Sequence, residues 1–224
     1  MTPAELTLYF ALVLGIVLIP GMDMAFVVGH SLTGGLRTGL AALGGVVVGA
    51  LCHLTMGAMG LALLLKALPG AFTAMLVAGA VYLAWLGWGL MRAEPAAPTG
   101  GGTATGGTRA RSAFLGAMLT NLLNPKAYLF SLAVLPQFVH PERGGLVWQL
   151  GVIGLVTAAT QIAVYGGLAW LAAGGQRRLA SSSDAGLRRQ RWLLRAVGAL
   201  LWLTALYTAW QAWAQAAMPG GSAA

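Results

Sequence analysis

Long apolar runs dominate the chain and alternate with short polar connections. A membrane-spanning helix needs roughly 20 predominantly apolar residues, and six runs reach that length. They cover residues 6–28, 40–65, 71–91, 113–138, 146–172 and 192–213. The pattern predicts an all-α integral membrane protein with six transmembrane helices.

The connection at residues 92–111 differs from the others because it is rich in proline, glycine and threonine. Such a stretch has too little apolar content to fold alone. We predict a flexible cytoplasmic linker between a first three-helix repeat, residues 1–91, and a second, residues 112–214. Residues 215–224 are predicted to form a disordered tail. Because each repeat has an odd number of helices, the two would cross the membrane in opposite directions, as an inverted repeat.

The first helix of each repeat is broken by a proline. Pro20-Gly21 interrupts the first apolar run and Pro125 the fourth, and Gly49 and Gly154 follow the two prolines at equal distance. Proline removes a backbone donor and clashes with the preceding turn. Broken backbone at membrane depth survives only where protein or a water-filled cavity satisfies it. Two interrupted helices in corresponding halves therefore indicate a transporter binding site.

Composition supports the membrane assignment: 58% of residues are hydrophobic and 8% are charged, against about 25% charged in soluble domains. A net charge of +8 would suit a nucleic-acid partner, but the arginines, apart from Arg195 just inside the sixth run, fall in the connections between apolar runs. The single cysteine, Cys52, excludes a disulfide framework. The N-terminus lacks a basic stretch, so we expect a retained first helix and no signal peptide.

The basic residues also predict orientation. Lys66 and Arg143 are the only basic residues in the second and fourth connections. The first, third and fifth connections hold Arg37, Arg92, Arg109, Arg111, Arg177, Arg178, Arg188, Arg189 and Arg191. Cytoplasmic loops of membrane proteins carry the excess of Lys and Arg. Both termini are therefore predicted to be periplasmic, in a multi-pass protein of a bacterial inner membrane.

Asp23 is the one charged residue between positions 6 and 28. An ionisable side chain inside the membrane is by default a functional-site hypothesis. The alternative is a carboxylate neutralised by protonation or by hydrogen bonds of the helix. Beside Pro20-Gly21 we favour function: the carboxylate could load and release a proton, or hold a substrate ammonium.

Lys126 is the only charged residue of the fourth apolar run. It lies about 20 Å from the cytoplasmic end of its helix, and Asp23 about 12 Å from the end of its own, at 1.5 Å per residue. A zwitterion could bridge the two, with its ammonium toward Asp23 and its carboxylate toward Lys126. Asn121 and Asn124 could add hydrogen bonds, although Asn124 would also suit a simple turn before proline. Snorkelling to the interface is the alternative role for Lys126.

His53 lies inside the second run. It is a candidate proton relay, and a packing histidine is the alternative. Gln161 and Thr160 in the fifth run could face a cavity, although contacts between helices are the commoner role. The sequence contains no catalytic triad, HExxH, Walker A or dinucleotide fingerprint. We therefore expect no enzyme activity, no cofactor and no metal site.

These motifs resemble the LysE/RhtB family of bacterial amino-acid exporters over nearly the whole chain. Its PGP[ND] pattern is similar to Pro20-Gly21-Met22-Asp23, with Met22 where the family usually has a second proline. The pattern continues with Ser31-Leu32 and the stretch at 35–40. A second match is the specific pairing of Asn124-Pro125-Lys126-Ala127 with Leu135-Pro136-Gln137-Phe138.

The resemblance implies a six-helix secondary transporter, acting as a homodimer, that exports amino acids or their derivatives by proton antiport. Lipid, protons and a small-molecule substrate would be its partners, with no nucleic acid. Two alternatives stay open: an inorganic-cation exporter on a related fold, and a membrane sensor or scaffold that transports nothing. Nothing in the sequence selects the amino acid, the proton stoichiometry or the subunit contact.

Overall fold

The chain was analysed as a computed structural model that describes residues 1–58, 69–92, 106–140, 143–179 and 184–217. These residues form seven α-helices and no β-strand. The helices are α1 Pro3–Leu18, α2 Met22–Ala58, α3 Pro69–Arg92, α4 Gly106–Leu122, α5 Pro125–Ala133, α6 Leu146–Leu179 and α7 Asp184–Ala217. By length and apolar composition, α2, α6 and α7 can each cross a membrane. The all-helical membrane fold is confirmed, and six crossings in an inverted repeat stay a prediction.

Helix α1 starts at a capping box and stops at the first proline break. The Glu5 backbone N–H donates to the Thr2 hydroxyl, and the Thr2 backbone N–H donates to the Glu5 carboxylate, which satisfies two helix-end donors. At the other end the chain leaves the helix over Ile19–Gly21 and resumes at Met22. The first apolar run is thus built from α1 and the beginning of α2.

Helix α2 changes direction at Gly35, its one residue with non-helical backbone (φ 75°, ψ −175°). The positive φ favours glycine. Beyond the kink Gly39 lies directly against Ser31, where a Cβ would overlap the hydroxyl. We expected a connection over residues 29–39, which is wrong for most of that stretch. The Ser31 and Thr33 hydroxyls donate to carbonyls of their own helix, so polar residues continue it up to Gly34.

The fourth apolar run is divided in the same manner as the first. Helix α4 ends at Leu122, Asn124 caps α5, and α5 ends at Ala133 before a short 3-10 turn at Leu135–Gln137. Helix α4 also begins earlier than expected, so residues 106–111 of the linker are helical. Alanine and arginine in that stretch favour helix. The remaining linker residues, 93–105, lie outside the described part.

The last two helices are longer than their apolar runs. Helix α6 continues past the predicted end at 172, and α7 begins before 192. Polar and basic residues extend both helices beyond the apolar segment that a bilayer would cover. Helix α7 also includes residues 215–217 of the predicted tail, and residues 218–224 are outside the described part.

Close helix packing builds the core around α2. It packs on α4 and α6, while α3 packs on α7 and α1 on α6. Small residues allow this: Gly45 of α2 lies against the α4 backbone, and Gly87 of α3 against the backbone of Gly198 in α7, as is common between membrane helices. Large apolar side chains such as Trp85 and Val147 are more than half exposed, which suits a lipid-facing surface.

Candidate functional site

Asp23 lies in the first turn of α2, directly after the first break, and is 3% exposed. Its Oδ2 accepts hydrogen bonds from the side-chain amides of Asn121 and Asn124, each at 3.0 Å. Asn121 comes from the end of α4 and Asn124 from the second break. The carboxylate of one broken helix is therefore held by amides at the break of the other.

Asn124 has two roles at once. Its Oδ1 accepts from the Lys126 backbone N–H at 3.0 Å, which caps α5, and its Nδ2 donates to Asp23. An N-cap satisfies an orphan helix donor, and Pro125 at the first helical position needs none. Asn124 thus occupies the turn position before proline and also contacts Asp23; its expected hydrogen bond to a substrate stays a prediction.

The Lys126 ammonium, which follows the second break, contacts the first break. It donates to the carbonyl oxygens of Ile16 at 3.1 Å and Ile19 at 2.9 Å. These carbonyls belong to the C-terminal end of α1 and to the break, where the helix dipole is negative and a cation is favoured. A Cβ at Gly21 would lie 3.2 Å from the Lys126 Nζ, so the glycine leaves room for the ammonium.

The two breaks are therefore joined reciprocally. Asp23 follows the first break and takes hydrogen bonds from the second, while Lys126 follows the second and donates to the first. Carbonyl oxygens at the first break are thus satisfied by the charged Lys126 side chain instead of helical partners.

Two cavities meet at this junction. An inner cavity of about 60 Å³ is lined by residues that include Asp23, His53, Asn121, Lys126, Gln161 and Tyr165. An outer cavity of about 620 Å³ lies against Pro20, Gly21 and Pro125, and Thr204 and Thr208 of α7 also line it. Lys126, Ile16 and Phe130 line both. Lys126 thus lines both the small cavity that contains Asp23 and His53 and the larger cavity beside the two breaks.

His53 joins the site from the second part of α2. Its Nε2 bonds to the backbone oxygen of Asn121 at 2.9 Å, and the ring packs edge-on against Tyr128. The side chain is buried, and it lines the inner cavity with Asp23. This position beside the carboxylate is where a proton relay would be needed, and the relay itself stays a prediction.

The sequence did not lead us to predict that one face of α6 lines the site. Thr157, Gln161 and Tyr165 all line the inner cavity, and the Thr157 hydroxyl pairs with the Tyr9 hydroxyl of α1 at 2.8 Å. Residues four apart share a helix face, so the spacing of polar side chains in the fifth apolar run was the available signal. Thr160, considered beside Gln161, instead bonds within its own helix to Val156.

Outside the apolar segments, a charged cluster ties the start of α1 to the connection before α6. Arg143 donates to Glu5 Oε1 at 2.8 Å, and His140 Nε2 lies 3.8 Å from the same oxygen. The Arg143 hydrogen bond lowers the pKa of Glu5 from 4.5 to about 2. The cluster is exposed, so its contribution to stability is small.

Comparison with known proteins gives a matching family and several named relatives. The family described as LysE type translocator matches residues 14–212. A homoserine/homoserine lactone efflux protein of Salmonella typhimurium is 31% identical over 82% of this chain and 85% of its own length. A leucine efflux protein of Klebsiella pneumoniae is 34% identical over 55% of this chain and 58% of its own.

An uncharacterized membrane protein of Vibrio cholerae is 32% identical over 70% of this chain and 75% of its own length. No solved structure matches the chain. The family match covers most of the chain, including both helix breaks, Asp23 and Lys126, and the resemblance found in the sequence is confirmed. The chain belongs to the LysE type translocator family of membrane transporters.

Proposed function

We propose that this transporter exports amino acids or close derivatives from the cytoplasm by proton antiport. The relatives named as homoserine, leucine and threonine efflux proteins support the substrate class. The reciprocal contacts of Asp23 and Lys126 across the two breaks are the observation that carries the mechanism. Opposite charges placed on opposite broken helices can each hold one end of a zwitterion.

In the proposed cycle, Asp23 exchanges its proton for the substrate ammonium. Its Oδ2 is already oriented by Asn121 and Asn124, so the exchange needs no rearrangement of the carboxylate. Preorganised hydrogen bonds of this kind reduce the cost of binding. The proton leaves when the ammonium enters, which couples the two fluxes in opposite directions.

Lys126 supplies the other end of the site. When a substrate carboxylate arrives, the ammonium exchanges the carbonyls of Ile16 and Ile19 for that carboxylate. The C-terminal end of α1 is then released from α5, and the inner cavity opens to the outer one, because Lys126 lines both. Substrate binding thereby supplies the differential contact that a conformational change requires.

The proposal includes the six-helix inverted repeat, with domains at 1–91 and 112–214 joined through 92–111. It places a homodimer in the bacterial inner membrane with both termini periplasmic. The divided helices support the repeat: α1 with the start of α2 on one side, and α4 with α5 on the other. The arginine-rich connections support the orientation.

The function is tested with purified protein in liposomes under an imposed pH gradient. The panel contains homoserine, threonine, leucine, lysine and arginine. We expect gradient-dependent flux of at least one amino acid by the wild type and loss of that flux in Asp23→Asn. The control Glu5→Gln, a carboxylate outside the apolar runs, should show normal flux. If the Asp23→Asn variant transports at the wild-type rate under the same pH gradient, Asp23 does not carry the proton.

The carboxylate contact is tested separately with Lys126→Met. Loss of a charge-assisted hydrogen bond is expected to raise the half-saturating substrate concentration by about tenfold or more. An unchanged concentration would show that Lys126 does not hold the substrate. Absence of flux for every amino acid, with the protein folded, would refute the proposed substrate class.

A further inference from the structure

Four buried acceptor atoms around the inner cavity lack a hydrogen-bond partner within the described part of the chain. They are Asp23 Oδ1, Asn121 Oδ1, His53 Nδ1 and Gln161 Oε1. Their residues are between 1% and 6% exposed, and all four line the cavity. A buried polar group without a partner is costly, so such a cluster in one place calls for a ligand.

The chemistry of these atoms follows from their other bonds. Asn121 donates its amide nitrogen to Asp23, which fixes the amide and leaves its oxygen free. His53 Nε2 pairs with a carbonyl oxygen, which can only accept, so the proton is on Nε2 and Nδ1 has a lone pair. Asp23 receives both amides on Oδ2, which leaves Oδ1. With Asp23 deprotonated, these four atoms offer acceptors and one negative charge, and a cationic donor complements them. The Lys126 ammonium lines the same cavity but donates to the Ile16 and Ile19 carbonyls.

The fifth unpartnered buried atom of the described residues, Trp202 Nε1, is a donor and belongs to α7. Trp202 is not among the residues that line the inner cavity. The acceptor character is thus specific to the cavity and not a general feature of the helix packing.

The volume of the inner cavity limits which ligands can bind. A water needs roughly 10–15 Å³ of such cavity volume, so about 60 Å³ has room for an ammonium group with a few waters or one attached carbon. A quaternary ammonium brings no N–H donor and would leave every acceptor unsatisfied. A primary ammonium brings three donors, and a water in the same cavity can donate to the fourth acceptor.

We propose that the inner cavity is a subsite for an unsubstituted primary ammonium, held by Asp23, Asn121, His53 and Gln161. This inference rests on the proposed function and deepens it, since it assigns Gln161 and His53 to substrate recognition. It predicts a transporter that rejects N-methylated amino acids, because methylation removes donors and adds bulk inside a small cavity.

The test needs no transport. The full-length purified protein is titrated with methylammonium, tetramethylammonium, sodium or potassium chloride at constant ionic strength, and its thermal unfolding is recorded. A ligand that binds only the folded state raises the unfolding temperature with concentration. We expect saturable stabilisation by methylammonium and none by tetramethylammonium.

Gln161→Leu removes one acceptor and is expected to raise the half-saturating methylammonium concentration about tenfold. Thr160→Val is the matched control, because Thr160 is buried in the same helix but bonds to Val156; it should leave that concentration unchanged. If Gln161→Leu does not fold, the comparison of the four salts on the wild type still shows whether the cavity binds a primary ammonium.

Stabilisation by sodium and not by methylammonium would overturn the proposal and identify an inorganic-cation site. Equal effects of methylammonium and tetramethylammonium would also overturn it, and the exporter function would then stand on the flux experiment alone. Conversely, saturable methylammonium binding without amino-acid flux would support the subsite and count against the proposed function.

Discussion

Replacing Gly45 with alanine tests the α2–α4 packing that brings Asn121 to Asp23. An added Cβ would overlap the backbone oxygen of Phe114, and would lie 2.9 Å from the Met118 nitrogen and 3.0 Å from the Ala117 Cβ. Two of these three atoms belong to the backbone of a helix, which cannot rotate away as a side chain would.

The size of the effect can be worked from a neighbouring control. At Gly44 the added Cβ would meet only the Phe114 ring at 3.5 Å, an ordinary contact. Both substitutions gain about 1 kcal/mol of helix propensity, so this gain cancels between them. Overpacking at Gly45 alone costs about 1–3 kcal/mol. At about 2–4 °C per kcal/mol for a chain of this size, Gly45→Ala should unfold at least about 2 °C below Gly44→Ala.

The assay is thermal unfolding of the purified variants in detergent, followed by tryptophan fluorescence. Gly44→Ala should match or exceed the wild type, and Gly45→Ala should fall below Gly44→Ala. Equal unfolding temperatures for the two variants would refute the close approach of α2 to the α4 backbone, and with it the packing that places Asn121.

Two further predictions concern the site and its periphery. Gly49→Ala places a Cβ 2.8 Å from the Asn121 Oδ1 and should weaken substrate binding in the liposome assay. Gly151→Ala is the control, because open space surrounds Gly151, and it should leave substrate binding unchanged. Equal substrate binding by the two variants would contradict the contact between Gly49 and Asn121. Glu5→Gln should lower the unfolding temperature slightly at neutral pH, because Arg143 holds the pKa of Glu5 at about 2. A pKa that is lower in the folded state stabilises that state at pH values above the unfolded pKa of 4.5. The difference in unfolding temperature between wild type and Glu5→Gln should therefore shrink as pH falls from 4.5 toward 2. A difference that grows on acidification would contradict this role of Arg143.

The charged residues and the breaks could be found from the sequence because hydrocarbon penalises both. Asp23 and Lys126 each stand alone in an apolar run, and Pro20 and Pro125 each remove a helical donor. Their pairing with specific partners could not be found. Lys126 donates to the carbonyls of Ile16 and Ile19, and any residue type offers a carbonyl, so sequence carries no mark of it.

Helix boundaries show the same limit. The stretch at 29–39 has the composition of a connection, yet the Ser31 and Thr33 hydroxyls bond inside the helix and the axis changes only at Gly35. Glycine and hydroxyl side chains suit both a loop and a membrane helix, so tertiary packing decides between them. The face formed by Thr157, Gln161 and Tyr165, by contrast, could have been predicted from its spacing of four residues, although it was not.

The central claim is that Asp23 gives up a proton when the substrate ammonium arrives. The direct measurement is proton release on substrate binding, with purified protein in weakly buffered solution and a pH indicator, using the amino acid that gives the largest flux. Reciprocal coupling predicts release of about one proton per bound substrate by the wild type, and none by Asp23→Asn. Release that persists in Asp23→Asn would contradict the account and move the coupling proton to another group.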